Sequence, residues 1–477
     1  MNSPQILVIY NAQLVDSKIN SPGAVLVADG KIRSVWLGNF SKKADAEKIL
    51  KGKENGPENK AEITFYDARK LILMPSFVDM HAHFRYPGQT AKEDLDSGLH
   101  AAAAGGFGTL VLMPNTNPVI STRQAGESVM REAKAKNLAR IFQTISITKN
   151  FDGKDTSGID DISAEDFPVI SEDGHDVGSS FIMLQGMTKA GSKGIIVSCH
   201  CEDVDLAAAA KPYRQRALSF MKQYDIPAGK IWEKTPDVPS SVNFEIDGNF
   251  STANQILALA EDAATERNIE IAKHAKAHVH ICHCSTKISM DAVRRAKADI
   301  KAGITPDGFD CTVEVTPHHI SMAGTDAPYT RALVNPPLRS EEDRRAVIEA
   351  LRDGTADCIA TDHAPHTQED KAAGSPGFTG LETAFATCNT VLVKKEGFTL
   401  NKLSELMSDN PSKLLKIESG RFLAGYNADF VLVDENEEWI VNPENFYSKG
   451  KSTPLEGQKL TGKVHATFFG GKLVFGR

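Results

Sequence analysis

One rhythm runs through most of this chain: a short apolar run, a few polar residues, then a stretch with helical spacing. Its beats are LILMPSFVDMHAH from Leu71, GTLVLMPNTNP from Gly108, ARIFQTISIT from Ala139, PVISEDG from Pro168, GIIVSCHCED from Gly194, HVHICHCST from His278, CTVEVTPHH from Cys311 and DCIATDHAPH from Asp357. Continuous apolar runs of this length suit strands buried on both faces, and buried strands alternating with helices imply a parallel sheet. Roughly eight such units over about 340 residues fit an α/β fold, a (β/α)8 TIM-like barrel with insertions.

The two ends of the chain depart from that rhythm and resemble each other. Residues 5–39 are short β-type runs broken by Pro-Gly and Asp-Gly, and ADFVLVDENEEWIV and KVHATFFGGKLVFG alternate like hairpin strands near the C-terminus. The expectation is a small β-sandwich domain assembled from residues 1–72 and 421–477, flanking a barrel over 73–420. The lysine-rich stretch 40–62 reads as an exposed polar insertion with one or two helical turns.

Composition removes several function classes. With 477 residues, 41% of them hydrophobic, the chain can bury more than one core, so disorder is excluded as its main state. No run approaches the ~20 apolar residues of a membrane-spanning helix. A net charge of -8 offers no global basic field to nucleic acid. No secretory signal is read at the N-terminus, and seven scattered cysteines form no disulfide framework, so a reducing cytoplasm is expected.

The informative residues sit where the apolar runs end. His81 and His83, Asn115, Asp173, His200, His283, Asn335, and Asp362 with His366 all fall at or just past such ends, which a barrel gathers on one face. His81 and His83 are two apart, so in a strand both imidazoles project to one side, and neutral imidazole with carboxylate suits Zn²⁺. His200 and His283 lie in Cys199-His200-Cys201 and Cys282-His283-Cys284. A structural Cys₄ zinc site is the rival there. Period two argues against it, because cysteines flanking lumen-facing histidines should face the helices. His280 shares parity with the cysteines and reads as structural or supporting. His363 either orients Asp362 or packs in the core, and one of His318 and His319 reads as structural. Asp173 could bridge two metal ions, with a carbamylated Lys149 or Lys154 as the alternative bridge. Arg85 shares parity with His83 and could clamp a carboxylate. Asn115 and Asn335 either cap turns or bond a substrate amide.

MPSFVDMHAHFRYPGQ, LVLMPNTNP, ISEDG, CHCED, HICHCST, VTPHH, NPPLR and TDHAPH, in this order, resemble the signature segments of the dihydroorotase family within the amidohydrolase superfamily. The resemblance covers essentially the whole chain. It implies a bacterial-type, aspartate-bridged site holding two Zn²⁺ ions: His81, His83 and Asp362 on one, His200 and His283 on the other, and Asp173 between them. It further implies that Asp362 is the catalytic proton carrier. Arg85, Asn115, Asn335 and His366 fall where the family contacts substrate, and Pro376 and Gly377 fit a loop that reaches the ligand through backbone groups. Departures from the family pattern are Tyr86 where an acidic residue is frequent, Glu172 in place of the first of an Asp-Asp pair, and a long linker between His283 and Asn335.

The reaction implied is reversible hydrolysis of dihydroorotate to carbamoyl-aspartate, a step of pyrimidine biosynthesis. The partner is a small molecule, with neither nucleic acid nor membrane, and a homo-oligomer such as a dimer is expected. Rival readings are a hydantoinase or allantoinase, whose substrates lack the carboxylate that Arg85 would hold, and a non-catalytic homologue acting as a scaffold.

Overall fold

The computed structural model describes residues 6–51, 63–226, 239–324 and 333–476. Eight strands come from the chain ends: β1 (Ile6–Val15), β2 (Asn20–Ala28), β3 (Lys31–Leu37), β4 (Ile63–Asp67), β5 (Ile72–Pro75) and, after the barrel, β14 (Phe430–Ile440), β15 (Lys459–Phe469) and β16 (Lys472–Gly476). They form one sheet in the order β16-β15-β14-β5-β1-β2-β3, with β4 also on β1. The expected hairpins β1-β2-β3 and β14-β15-β16 are antiparallel, while β4 and β5 pair with β1 in parallel. Register shifts in several pairs let the sheet fold over a shared core, where Tyr66 of β4 meets Phe468 of β15 edge-on at 5.0 Å. Within the polar insertion, Lys43–Lys51 is helical, and residues 52–62 lie outside the described residues.

The barrel strands are β6 (Phe77–Ala82), β7 (Phe107–Leu112), β8 (Arg140–Gln143), β9 (Val169–Ser171), β10 (Ile196–Cys199), β11 (His278–Ile281), β12 (Asp310–Val315) and β13 (Cys358–Ile359). All neighbours pair in parallel. Single bridges, Ile145 to Ile170 and Ala82 to His363, join β8 to β9 and β13 back to β6, so the eight-stranded ring closes. The alternation explains the apolar runs. Leu110, Leu112, Ile170, Val197, Val279, Val313 and Ile359 pack outward with helix residues such as Leu99, Met183 and Val347. Val78, Met80, Val111, Val169, Ile196 and Cys358 form a separate apolar cluster within the ring.

The helical layer is less regular than the rhythm implied. Between β8 and β9 only short 3₁₀ turns occur, whereas two long helices, Val204–Gln223 and Ser240–Ala275, separate β10 from β11. No described helix is long and apolar enough to cross a membrane.

Candidate metal centre and substrate pocket

His81 and His83 leave β6 side by side, and their outer ring nitrogens are held from behind. The Nδ1–H of His81 donates to Glu314 Oε1 at 2.8 Å, and that of His83 donates to Asn115 Oδ1 at 2.9 Å. These bonds fix the tautomers and leave both Nε2 atoms facing inward, 3.3 Å apart. Asp362, held at φ 45, brings Oδ1 to 3.2 Å from His83 Nε2 and 3.6 Å from His81 Nε2. Behind it, Asp79 accepts from the Thr361 amide at 2.8 Å and the Thr361 hydroxyl at 2.5 Å, fixing the turn that presents Asp362.

Across the lumen, His200 Nδ1 and His283 Nε2 lie 3.0 Å apart. Asp173 stands between the two histidine pairs: Oδ1 is 3.2 Å from His200, 3.4 Å from His81 and 3.7 Å from His283, and Oδ2 is 3.5 Å from His83. All six side chains are buried. His81, His83 and Asp362 form one mutually close donor group, and His81, Asp173 and His283 another. Four imidazoles and two carboxylates concentrate lone pairs, and Asp173 Oδ1 has no hydrogen-bond partner despite its close imidazoles. This donor set fits divalent zinc, which accepts both imidazole nitrogen and carboxylate oxygen.

The electrostatics point the same way. Burial alone would lower His81 and His200, yet His81 is raised well above its ordinary value by Asp173 and Glu314, and His200 by Asp173 and Glu202. Burial would raise Asp173 and Asp362, but the surrounding histidines hold both carboxyls well below the usual range. Around Asp173 the pocket therefore calls for positive charge, whereas burial and the Arg85 charge lower His83. Strained backbone gathers at the same place: Arg85, Cys201, His283 and Asp362 all have positive φ.

The cysteines correct one expectation. Cys199, Cys201 and Cys284 pack in the layer between strands and helices, as period two requires. Cys282 turns inward instead, its Sγ 2.9 Å from Ser198 Oγ and grouped with His81 and Glu314. Val279 and Ile281 pack outward, so alternation carries Cys282 inward with His280, and the φ of 32 at His283 then breaks the alternation and turns that ring into the lumen as well. Among the described residues the four cysteines do not form a ligand set. The alternative bridging lysines, Lys149 and Lys154, are exposed.

Arg85 lies at the rim, its Nε donating to Pro365 O and its Nη2 3.3 Å from His366 Nε2. Burial and the Arg85 charge push His366 down to about 3, so it faces the pocket as neutral imidazole. Asn115 spans His83 and Asp173, donating to Asp173 Oδ2 at 3.2 Å, so both ends of its amide are engaged within the protein. The Asn335 amide accepts from Arg214 Nη1 at 2.6 Å and donates to Glu202 Oε2 at 3.4 Å. Gly377, at φ +138, passes so near Ala364 that an added Cβ would lie 2.5 Å from its carbonyl oxygen. Its N–H donates to Leu333 O and its carbonyl accepts from Lys371, which occupies the backbone groups expected to reach a ligand; Pro376 leads into it. Glu172 turns away, accepting from the Thr148 amide.

His280 supports the site, as its parity suggested: its Nε2 donates to Glu314 Oε2 at 3.1 Å. His363 pairs with Glu93 and accepts from the Gly380 amide. Glu314, Glu202, Arg214 and Lys371 are the pocket residues that the sequence reading passed over. Glu314 carried a signal, as the one charge inside the run CTVEV.

Residues 72–474 match the model of the amidohydrolase family. Dihydroorotase from Clostridium botulinum is 36% identical, covering 98% of this chain and 99% of that one, and dihydroorotase from Bacillus subtilis is 36% identical over 89% and 91%. Among solved structures, L-hydantoinase (dihydropyrimidinase) from Arthrobacter aurescens superposes with a TM-score of 0.76 at 23% identity, covering 98% of this chain and 96% of that one, a likeness of fold. A closed parallel barrel, a β domain built from both termini and a sequence related over nearly its full length agree: the chain belongs to the amidohydrolase family and, within it, to the dihydroorotases.

Proposed function

We propose that this chain is a zinc-dependent dihydroorotase, catalysing reversible hydrolysis of the cyclic amide of (S)-dihydroorotate to N-carbamoyl-L-aspartate. The observation that carries the reading is a buried cation, Arg85, at the rim of a ring of four histidines and two aspartates. His81, His83 and Asp362 would hold one zinc ion, His200 and His283 a second, with Asp173 between them. Zinc bound there lowers the pKa of water and polarises a carbonyl oxygen. Asp362 takes the proton of the attacking water and returns it to the ring nitrogen as the C–N bond breaks. Arg85 pairs with the substrate carboxylate and so fixes which carbonyl faces Asp362. His366, kept neutral, orients Arg85 without competing for its anion. Seven free, buried thiols are in keeping with a reducing cytoplasm.

The test is turnover of dihydroorotate, hydantoin and allantoin by purified protein, with zinc and after chelation. Metal-dependent opening of dihydroorotate alone is expected. Opening of only an uncharged ring would overturn the substrate assignment, because Arg85 would then have no carboxylate to hold.

A further inference from the structure

Lys371 is 2% exposed, an unusual place for an ammonium group. It sits on the short helix Gln368–Ala372, which Thr367 and Asp370 cap reciprocally, so the helix is fixed with this side chain inward. Its Nζ donates to three backbone carbonyls: Leu333 at 2.9 Å, Ser375 at 2.9 Å and Gly377 at 2.8 Å. An ammonium has three N–H groups, and here each has an acceptor. The Phe378 ring lies 5.3 Å away, adding a favourable face for the charge.

The acceptors belong to two separate walls of the pocket. Leu333 leads to Asn335, and Ser375 and Gly377 form the loop that packs against His366. Leu333 O also accepts from the Gly377 amide at 2.6 Å, so one carbonyl is a shared joint. On the other side of that joint, Arg214 grips Val334 O and Asn335 Oδ1.

We propose that Lys371 is a positioning residue that locks the Asn335 wall to the Gly377 loop and so sets the width of the substrate pocket. The inference rests on the dihydroorotase reading for its substrate. Lys371 touches neither the metal-ligand candidates nor Arg85 through any hydrogen bond described above, so its loss acts on substrate fit and leaves the metal centre and the proton carrier intact. Loosening the joint lets both segments open, and substrate binding must then bear the cost of ordering them.

The experiment compares Lys371→Met and Lys371→Arg with the unsubstituted, zinc-loaded protein. For Lys371→Met, KM for dihydroorotate should rise about 10- to 100-fold, kcat should stay within about threefold, and zinc content should be unchanged. Amide hydrogen exchange should accelerate together in residues 333–338 and 375–380, and Lys371→Arg should recover most of the affinity. Equal losses in kcat, KM and zinc content would overturn the proposal, as would an unchanged KM. Should Lys371→Met fail to fold, exchange in the unsubstituted protein decides: N-carbamoyl-aspartate must protect both segments together, and protection of one alone overturns the lock. Should the unsubstituted protein turn over no dihydroorotate, the functional reading fails by itself, and faster exchange in both segments of Lys371→Met still tests the lock.

Discussion

At the end of β6, His81 and His83 are separated by one residue, and at the end of β12, His318 and His319 are adjacent. All four rings are buried. The first pair extends from a strand, so both rings point one way, and Glu314 and Asn115 occupy the outer nitrogens so that the inner ones converge on Asp173 and Asp362. The second pair lies in the first turn of the helix Pro317–Ser321, with ring centroids 4.5 Å apart. His319 spends one nitrogen on the Thr316 hydroxyl and the other on Pro336 O. Burial, reinforced by neighbouring positive charge, lowers both His318 and His319. Histidine at a barrel mouth is thus not enough for a metal centre. What distinguishes the candidate ligand pair is an acceptor behind each ring and a carboxylate in front.

The sharpest way to break this comparison is to remove one histidine from each pair. His83→Ala should lose bound zinc and about a thousandfold or more in kcat/KM, because several kcal/mol of charge stabilisation goes with the metal. His318→Gln should keep its zinc and lose less than about tenfold, since no ligand contact goes with it. Metal analysis and steady-state kinetics on the two proteins check this. Equal zinc loss in both would erase the distinction.

Much of this difference was legible in the residues themselves. The H-x-H spacing placed His81 and His83 on one side, and the adjacency of His318 and His319 argued against a strand-borne pair. The closed ring and the hairpins of the terminal sheet followed from apolar runs and turn residues. Beyond the strand ends the reading weakened. The inward turn of His283 directly after an inward Cys282 depends on a positive φ at His283, which no period-two argument contains. Asn115 was legible as a loop amide but not as the link between His83 and Asp173, because that contact joins residues 58 apart in sequence. The Lys371 lock was invisible, since its acceptors are backbone carbonyls, which carry no side-chain signal, and the Leu333 carbonyl that joins the second wall comes from 38 residues away.

The acceptor behind the ring is tested by Glu314→Gln, which keeps side-chain volume and removes the charge shared by His81 and His280. Competition with a chelator should show zinc affinity weakened by about 10- to 100-fold, the usual range for a partner of a metal-bound imidazole. An unchanged affinity would mean that His81 needs no support from behind.

Arg85 separates the metal centre from substrate choice. Arg85→Ala should raise KM for dihydroorotate by about 10- to 100-fold, as expected for a charge-assisted bond of roughly 1.5–3 kcal/mol, with zinc content unchanged. If KM for dihydroorotate were unaffected, the carboxylate assignment would fall while the ligand assignment stood.

The smallest effect concerns the second histidine pair and proton linkage. Burial holds His319 down to about 4 from its ordinary 6.5, so between those values the unfolded chain binds a proton that the folded chain refuses. Stability from this residue is therefore full above pH 6.5 and falls as pH drops through the window, by roughly 3 kcal/mol at the acid end. His318 is shifted in the same direction, which steepens the fall. His319→Gln should remove one of these protons, so its urea midpoint should decline less than that of the unsubstituted protein between pH 6.5 and 4.5. Subtracting the two curves at each pH cancels the opposite contribution of His81, which is raised and common to both proteins. Parallel curves would mean that His319 is protonated in the fold, and the contrast between the raised His81 at β6 and a neutral pair at β12 would be lost.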